Sequence, residues 1–541
     1  LFKDMGVFRV ILDVVSVVLR AVSSFGFLWE VRHQLRALCY GRERCSVDQA
    51  KHPELYQSAR AVAENIRNGI IKAEDVMLAY VDRIREVNPM LNAIVSDRFE
   101  EAIIDAREID TTLAHGSSEE KEKLRKKSLL GVPITVKESI SFRGMPHSSG
   151  IVERKHIIAD TDSAALNNLR EAGAIPIAVT NCSELCMWWE TTNNVNGRTN
   201  NPHNTNRIAG GSSGGEGAII ASAGSLCGIG SDVGGSIRMP AFFNGIFGHK
   251  PSPGIVPNEG HFPCGTTTTF NEYLTIGPMC RYAEDLPLML EAMALPTIYR
   301  LQLHEEIDIS SLKVFVLDEF DPVLMSPVDE ELSIAQRKVC DFLEKEHQVT
   351  VQKANLKLFR YAALIWSSMV FASEDNDLIS KFLDENSKPM NPFVELVKSF
   401  GGFSKYHFIT PLIGCLEKMN YHDNLTSTFV ALGNKLRQQL DLLLGNDGIL
   451  LFPSHPNTAM EHNRPILAPL DFNYTSIFNV LHMPVTQCPL GVDKEGMPLG
   501  IQIAATRDND RLTLAVARQL EKGFGGWEAW QPGVKVRDKS C

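Results

Sequence analysis

The sequence predicts an α/β fold, with a central mixed, largely parallel β-sheet covered by helices on both faces and a helical cap inserted late in the chain. Three observations carry this expectation. Short β-branched runs alternate with amphipathic segments between residues 132 and 180, the pattern of strands buried on both faces. Buried-strand runs return at 448–456, 483–491 and 499–504 after a long helix-rich stretch, so the chain is expected to rejoin its first sheet. Between them, residues 210–250 place two serine-bearing glycine clusters around a small Ala/Ile/Ser helix, a density of glycine suited to close backbone approach.

The chain has 541 residues, enough for one large domain or two. A formal charge of −11 with no basic stripe argues against nucleic acid as a partner. The 11 cysteines are scattered, without a CxxC pair or metal-ligand spacing. They read as reduced thiols in a cytosol-like, intracellular compartment. Cys182 and Cys186, four apart, read as small buried apolar groups.

Residues 1–45 are expected to associate with a membrane. The run 8–29 is rich in Val, Leu and Phe, but Arg9, Asp13 and Arg20 interrupt it, short of the roughly 20 uncharged residues a span needs. It reads as a surface-lying or imperfect anchoring helix, with a cleaved targeting peptide or an ordinary packing helix as alternatives. Residues 46–541 form the catalytic domain in this reading.

The segment 52–92 shows helical periodicity and fits two helices joined near Gly69, and 100–127 reads as charged, solvated helix. Strands are expected near 132–136 and 175–180, with a helix over 163–172. A further short strand is expected at 226–229. Residues 301–445 read as the helical cap, with amphipathic runs at 330–346 and 431–444 and an aromatic stretch at 359–371. His455 beside Ser454 reads as a proline-bracketed strand end, not as a Ser–His pair.

The glycine clusters carry the chemistry. Successive N–H groups in a tight turn make a nest for negative charge, and a serine at its end can attack a carbonyl while the nest holds the oxyanion. A phosphate loop would need a Gly-Lys-Ser/Thr ending, which GGSSGGEG lacks. GIGSDVGG has one residue too many for a dinucleotide fingerprint. A nucleophile elbow fits Ser212 or Ser213, but needs a buried strand just before it. The preceding 200–207, NNPHNTNR, carries no strand signal.

Across 210–250 the double-serine cluster, the Asp-x-Gly-Gly-Ser-Ile-Arg turn and the Gly-x-Lys-Pro ending strongly resemble the amidase signature family. That resemblance implies a Ser–Ser–Lys triad and a lysine upstream on an apolar strand. LLGVPITVKE at 129–138 supplies it as Lys137. Ser236 is then the nucleophile, Ser212 the bridging serine, with a cis peptide bond to Gly211, and Lys137 the terminal base. The N–H groups of Val233, Gly234, Gly235 and Ser236 would form the oxyanion hole. Cys186, Met187 and Ser212 fall where substrate contacts are expected.

The chemistry is coherent on its own terms. A serine hydroxyl is a weak nucleophile and needs a base, and a lysine can serve only as the free amine, which burial favours. Lys137 would take a proton from Ser212 while Ser212 takes one from Ser236. An acyl-enzyme follows, and the reverse relay protonates the leaving amine.

Met187, Trp188 and Trp189 are candidates either to line an acyl pocket or to pack in the core. TNCSELCMWW, GPMCRYAEDL, LFPSHP and PVTQCPLG resemble the branch of the family acting on fatty-acid amides. That implies hydrolysis of long-chain primary amides and N-acyl ethanolamines, a lipid surface as partner and a possible homodimer. The expectation of no metal and no cofactor comes only from the family resemblance. Two other readings stand beside it: a glutamine-hydrolysing subunit of a tRNA amidotransferase, and an inactive relative serving as a scaffold.

Overall fold

Eleven strands form one sheet in the computed structural model, which describes residues 53–265, 267–294, 296–318, 320–373, 390–418 and 423–527. The expected membrane-associating segment 1–45 lies outside the described residues. In chain order the strands are β1 (Ile94–Asp97), β2 (Pro133–Lys137), β3 (Ile175–Thr180), β4 (Cys227–Asp232), β5 (Phe247–Lys250) and β6 (Thr275–Cys280), then β7 (Lys313–Val316), β8 (Val351–Lys353), β9 (Gly448–Phe452), β10 (Val485–Val492) and β11 (Pro498–Ala504). Their spatial order is β1-β3-β2-β4-β6-β5-β10-β11-β9-β7-β8. The late strands therefore do rejoin the first sheet.

The sheet is mixed, and its pairing follows its connections. Parallel pairs occur in two blocks, β3-β2-β4 and β9-β7-β8. Crossover helices separate β2 from β3 (Ala164–Glu171) and β7 from β8 (Glu330–His347), as parallel pairing requires. The middle of the sheet, β4-β6-β5-β10-β11-β9, is antiparallel throughout, as is the β1-β3 edge. There β10 and β11 are joined by a tight turn in which Asp493 N–H donates to the Met497 carbonyl at 2.8 Å. A turn that short permits only antiparallel strands.

Both faces are covered. Along β9, Ile449 and Leu451 enter one core cluster while Leu450 and Phe452 enter another, as alternation across a strand dictates. The first cluster gathers the helices Ala59–Arg67, Ala73–Leu91, Phe99–His115 and Asp510–Phe524. The second gathers Ala362–Ser373, Asp423–Leu444 and Asn473–Val480.

Local sequence explains the elements near the site. Ser163 accepts from Leu166 N–H at 3.2 Å and caps the Ala164–Glu171 helix. Gly69 takes φ 68° where the first two helices join. Ser118–Arg125 buries none of its side chains, matching its charged composition. The late insertion departs from a purely helical reading, because β7 and β8 extend the sheet edge from within 301–445. KVFV and VQK are too short to stand out among long amphipathic runs.

Candidate active site

Two parallel strands point their carboxyl ends at one place. β2 pairs with β4 from Ile134 opposite Cys227 to Val136 opposite Ile229, so Lys137 closes one strand beside Ser231 on the other. In α/β sheets ligands gather at such strand ends. Lys137 is fully buried. Its Nζ lies 2.6 Å from Ser212 Oγ and 2.8 Å from Ser231 Oγ.

Ser212 reaches Lys137 because the chain before the Gly214–Ala221 helix is pressed into a tight path. The Gly211–Ser212 peptide bond is cis, as expected. A Cβ on Gly211 would fall 2.5 Å from the Trp188 carbonyl oxygen, so no larger residue fits. A strand does precede the serines, at Asn204–Ile208, which the polar sequence concealed. It pairs with Asn200–Asn201 in a two-stranded ribbon outside the main sheet and makes a single bridge from Arg207 to Glu461, so it does not supply the buried strand of a nucleophile elbow.

Ser236 ends the turn after β4, which a buried ion pair holds. Asp232 and Arg238 meet at 3.0 Å, both fully buried. Asp232 Oδ1 accepts from Gly235 N–H at 2.7 Å and Oδ2 from Ile237 N–H at 3.1 Å. Burial opposes ionisation of Asp232, but the Arg238 guanidinium overcomes it and holds the carboxyl well below the usual range. Gly235 takes φ 114°, a region closed to side chains, and a Cβ there would collide with Thr475. Its N–H is committed to Asp232. Those of Gly234 and Ser236 have no acceptor among the described residues.

The residues meet at one cleft. Ser212 and Ser236 line it together with Cys186, Met187 and Val233. Leu185, Pro263, Phe270 and Leu274 complete an apolar wall, and Ser231 and His261 add polar atoms. Ser236 Oγ, 7% exposed as a residue, makes no hydrogen bond among the described residues, including to Ser212. Catalytic contacts of this kind commonly tighten only with substrate bound.

Cys182 and Cys186 are both buried but share no helix. Leu185 and Cys186 take φ 55° and 57° inside a short 3-10 turn. That bend presents Cys186 and Met187 to the cleft and turns the next residues away. Trp189, at 2% exposure, is a core residue packed against Phe243 and His455, and the half-buried Trp188 packs against the same cluster, so neither tryptophan lines the cleft. Ser454 donates to Gln487 Oε1 and His455 Nδ1 lies 2.9 Å from the Asn457 carbonyl oxygen, so no Ser–His pair forms.

The late insertion packs beside the cleft through two hydrogen bonds. Trp366 Nε1 donates to the Val233 carbonyl at 3.3 Å, and Thr410 Oγ1 donates to Glu184 at 2.6 Å.

The sequence profile of the amidase family (described simply as "Amidase") matches residues 75–514. The chain belongs to the amidase signature family. It is 47% identical to fatty-acid amide hydrolase 2 of Homo sapiens over 483 residues, covering 88% of this chain and 90% of that one. It is 27% identical to one of the subunits of a glutamyl-tRNA(Gln) amidotransferase from Oleidesulfovibrio alaskensis, covering 87% and 97%. Among solved structures it resembles a fatty acid amide hydrolase, with TM-score 0.71, 21% identity and coverage of 88% and 87%. A bacterial aryl acylamidase gives TM-score 0.70 at 19% identity, covering 90% and 100%. The chain is thus an amide-hydrolysing enzyme of this fold.

For this amidase the sequence reading missed two polar residues of the site. Ser231 sits within GIGSDVGG, one residue before the aspartate of the turn, and the β4 alternation that aims it was available as a signal. His261 lies in a loop flanked by glycine and Phe-Pro, with no periodicity to mark it. Burial, aided by the Lys137 charge, pushes its imidazole down to about 3.

Proposed function

We propose that this amidase hydrolyses fatty-acid amides, long-chain primary amides and N-acyl ethanolamines, through an acyl-enzyme on Ser236. The observation carrying the reading is the 2.6 Å contact between buried Lys137 Nζ and Ser212 Oγ at a cleft that Ser236 also lines. Lys137, as the free amine, accepts the Ser212 proton while Ser212 accepts the Ser236 proton. Ser236 Oγ then bonds to the amide carbon. The N–H groups of Val233, Gly234 and Ser236 receive the oxyanion, and Gly235 shapes the turn that presents them. Reversal of the relay delivers a proton to the departing nitrogen as the C–N bond breaks. Water, activated by the same path, then cleaves the ester to a fatty acid.

The apolar wall of Leu185, Met187, Val233, Phe270 and Leu274 suits an acyl chain and offers nothing to a polar glutamine side chain. A lipid surface as the source of substrate fits the apolar run 8–29. The cap adds exposed Phe393, Val394, Val397 and Phe403. No helix among the described residues is long and apolar enough to cross a membrane. Surface attachment through 8–29 is the form proposed because Arg9, Asp13 and Arg20 interrupt that apolar run.

The test is the rate of oleamide and glutamine hydrolysis by the wild type and by Ser236→Ala. The expected result is higher kcat/KM on oleamide, abolished by the substitution. Preference for glutamine would overturn the substrate class. Undiminished hydrolysis in Ser236→Ala would overturn the triad.

A further inference from the structure

His261 occupies an unusual position, buried against the polar end of the cleft and one hydroxyl away from the lysine. Its loop is tied to the chain just beyond Lys137: Phe262 N–H donates to the Ser139 carbonyl at 2.8 Å, and Ser141 N–H to the Gly260 carbonyl at 2.8 Å. These bonds fix the ring beside β2 independently of anything bound. Nδ1 lies 2.7 Å from the Pro263 carbonyl oxygen, which can only accept, so Nδ1 carries the proton. Burial keeps the imidazole neutral across the working pH range. Nε2 is therefore an acceptor. It faces Ser231 Oγ at 2.8 Å, with Ser139 Oγ farther off at 3.3 Å.

We infer that His261 is a positioning residue for the Lys137 base, acting through Ser231 to keep the lysine's lone pair directed at Ser212. The inference rests on the proposed Lys137–Ser212–Ser236 relay. A serine hydroxyl has one proton. With that proton donated to His261 Nε2, Ser231 Oγ can meet Lys137 Nζ, 2.8 Å away, only as an acceptor. Lys137 then commits an N–H to Ser231, and its lone pair is left for the Ser212 hydroxyl at 2.6 Å. The hydrogen bonds run one way, from Lys137 to Ser231 to His261 to the Pro263 carbonyl. Without the acceptor at His261, the Ser231 hydroxyl is free to turn its proton onto the amine and compete with Ser212 for the same lone pair.

Kinetics of the full chain on oleamide test this with His261→Leu, His261→Gln, Ser231→Ala and the Ser231→Ala/His261→Leu double variant, each checked for an unchanged thermal midpoint. His261→Leu is expected to lower kcat by about 10- to 100-fold, the scale of a misaligned catalytic group, with KM little changed. His261→Gln, which keeps an acceptor, should recover most of that loss. In the double variant His261→Leu should cost nothing beyond Ser231→Ala, because the histidine has nothing left to act through. An unchanged kcat in His261→Leu, a loss confined to KM, or fully additive losses in the double variant would each overturn the inference and leave His261 as a wall of the cleft. Ser236→Ala is run alongside. If it still turns over, the relay itself fails. If it is inactive while His261→Leu is unimpaired, only the role of His261 fails.

Discussion

Two fully buried basic side chains, Arg238 and Lys137, belong to the site, and they are housed differently. Arg238 meets the Asp232 carboxylate at 3.0 Å and also donates to the Thr475 carbonyl, Gln502 Oε1 and Asn479 Oδ1. Lys137 meets only the hydroxyls of Ser212 and Ser231, and among the described residues no carboxylate pairs with it. A guanidinium neutralised by a carboxylate and saturated with acceptors is a brace, whose value is the geometry it imposes. A buried amine surrounded by hydroxyls has partners that can exchange protons with it. The difference separates the part of the site that holds shape from the part to which the proposed relay assigns the chemistry.

The largest effect expected is on the brace. Arg238→Leu leaves Asp232 charged and buried without its partner and should cost about 3–5 kcal/mol of stability, read as a lowered urea midpoint. A midpoint within error of wild type would show that Arg238 is no brace. Lys137→Met should do the reverse, cutting oleamide turnover by at least about 10²- to 10⁴-fold while leaving the urea midpoint in place. A comparable loss of stability in that variant would erase the contrast.

Behind Lys137 lies a third buried charge carrier, Glu216, with Thr135 and Thr180 hydroxyls at 2.7 and 2.9 Å. Burial pushes its carboxyl up to about 8 from an ordinary 4.5, against the pull of those hydrogen bonds and of Lys137. Over pH 4.5 to 8 the unfolded chain therefore binds fewer protons at this residue than the folded chain, and stability falls as pH rises through that window. Glu216→Gln should flatten the pH dependence of the unfolding free energy between about pH 5 and 8. Only part of the slope should go, since Glu184 is raised to about 8 and Glu138 and Asp285 to about 7 by burial as well. An unaltered slope would mean that Glu216 is ionised in the fold.

The smallest effect lies on the apolar wall. Met187→Ala should raise KM for oleamide about tenfold, on the scale of lost methylene contacts, with less change for a short-chain amide. Equal changes for both would remove Met187 from the acyl site.

The turn around Ser236 was legible in the sequence as a motif, though not the ion pair that braces it, and the lysine's surroundings were only half legible. Asp232, the glycines and Arg238 are bound into one contiguous turn, where each residue type is dictated by a backbone constraint within a few positions. Lys137 was picked out by the family resemblance, which implied a lysine at the end of an apolar strand; its neighbours alone read equally as a surface strand end. Its hydroxyl partners come from segments 75 and 94 residues away, and distance along the chain leaves no periodic trace. Ser231 was within reach, since alternation along β4 places it on the face of Ile229. His261 was not, because a loop side chain is aimed by tertiary hydrogen bonds alone. The tryptophans show the same limit. Composition placed Trp188 and Trp189 equally well in cleft or core, and the positive φ angles at Leu185 and Cys186 decided it. In the cap, two four- and three-residue strands vanished among long helices because nothing in their length distinguishes them from loop.

The most direct test of the central assignment is the intact mass of the protein after reaction with a fluorophosphonate, measured for the wild type and for Ser236→Ala. A single adduct on the wild type and none on the variant is the predicted result, since only a serine activated by the lysine relay reacts. An adduct that persists in Ser236→Ala would contradict it and move the nucleophile to Ser212 or Ser213.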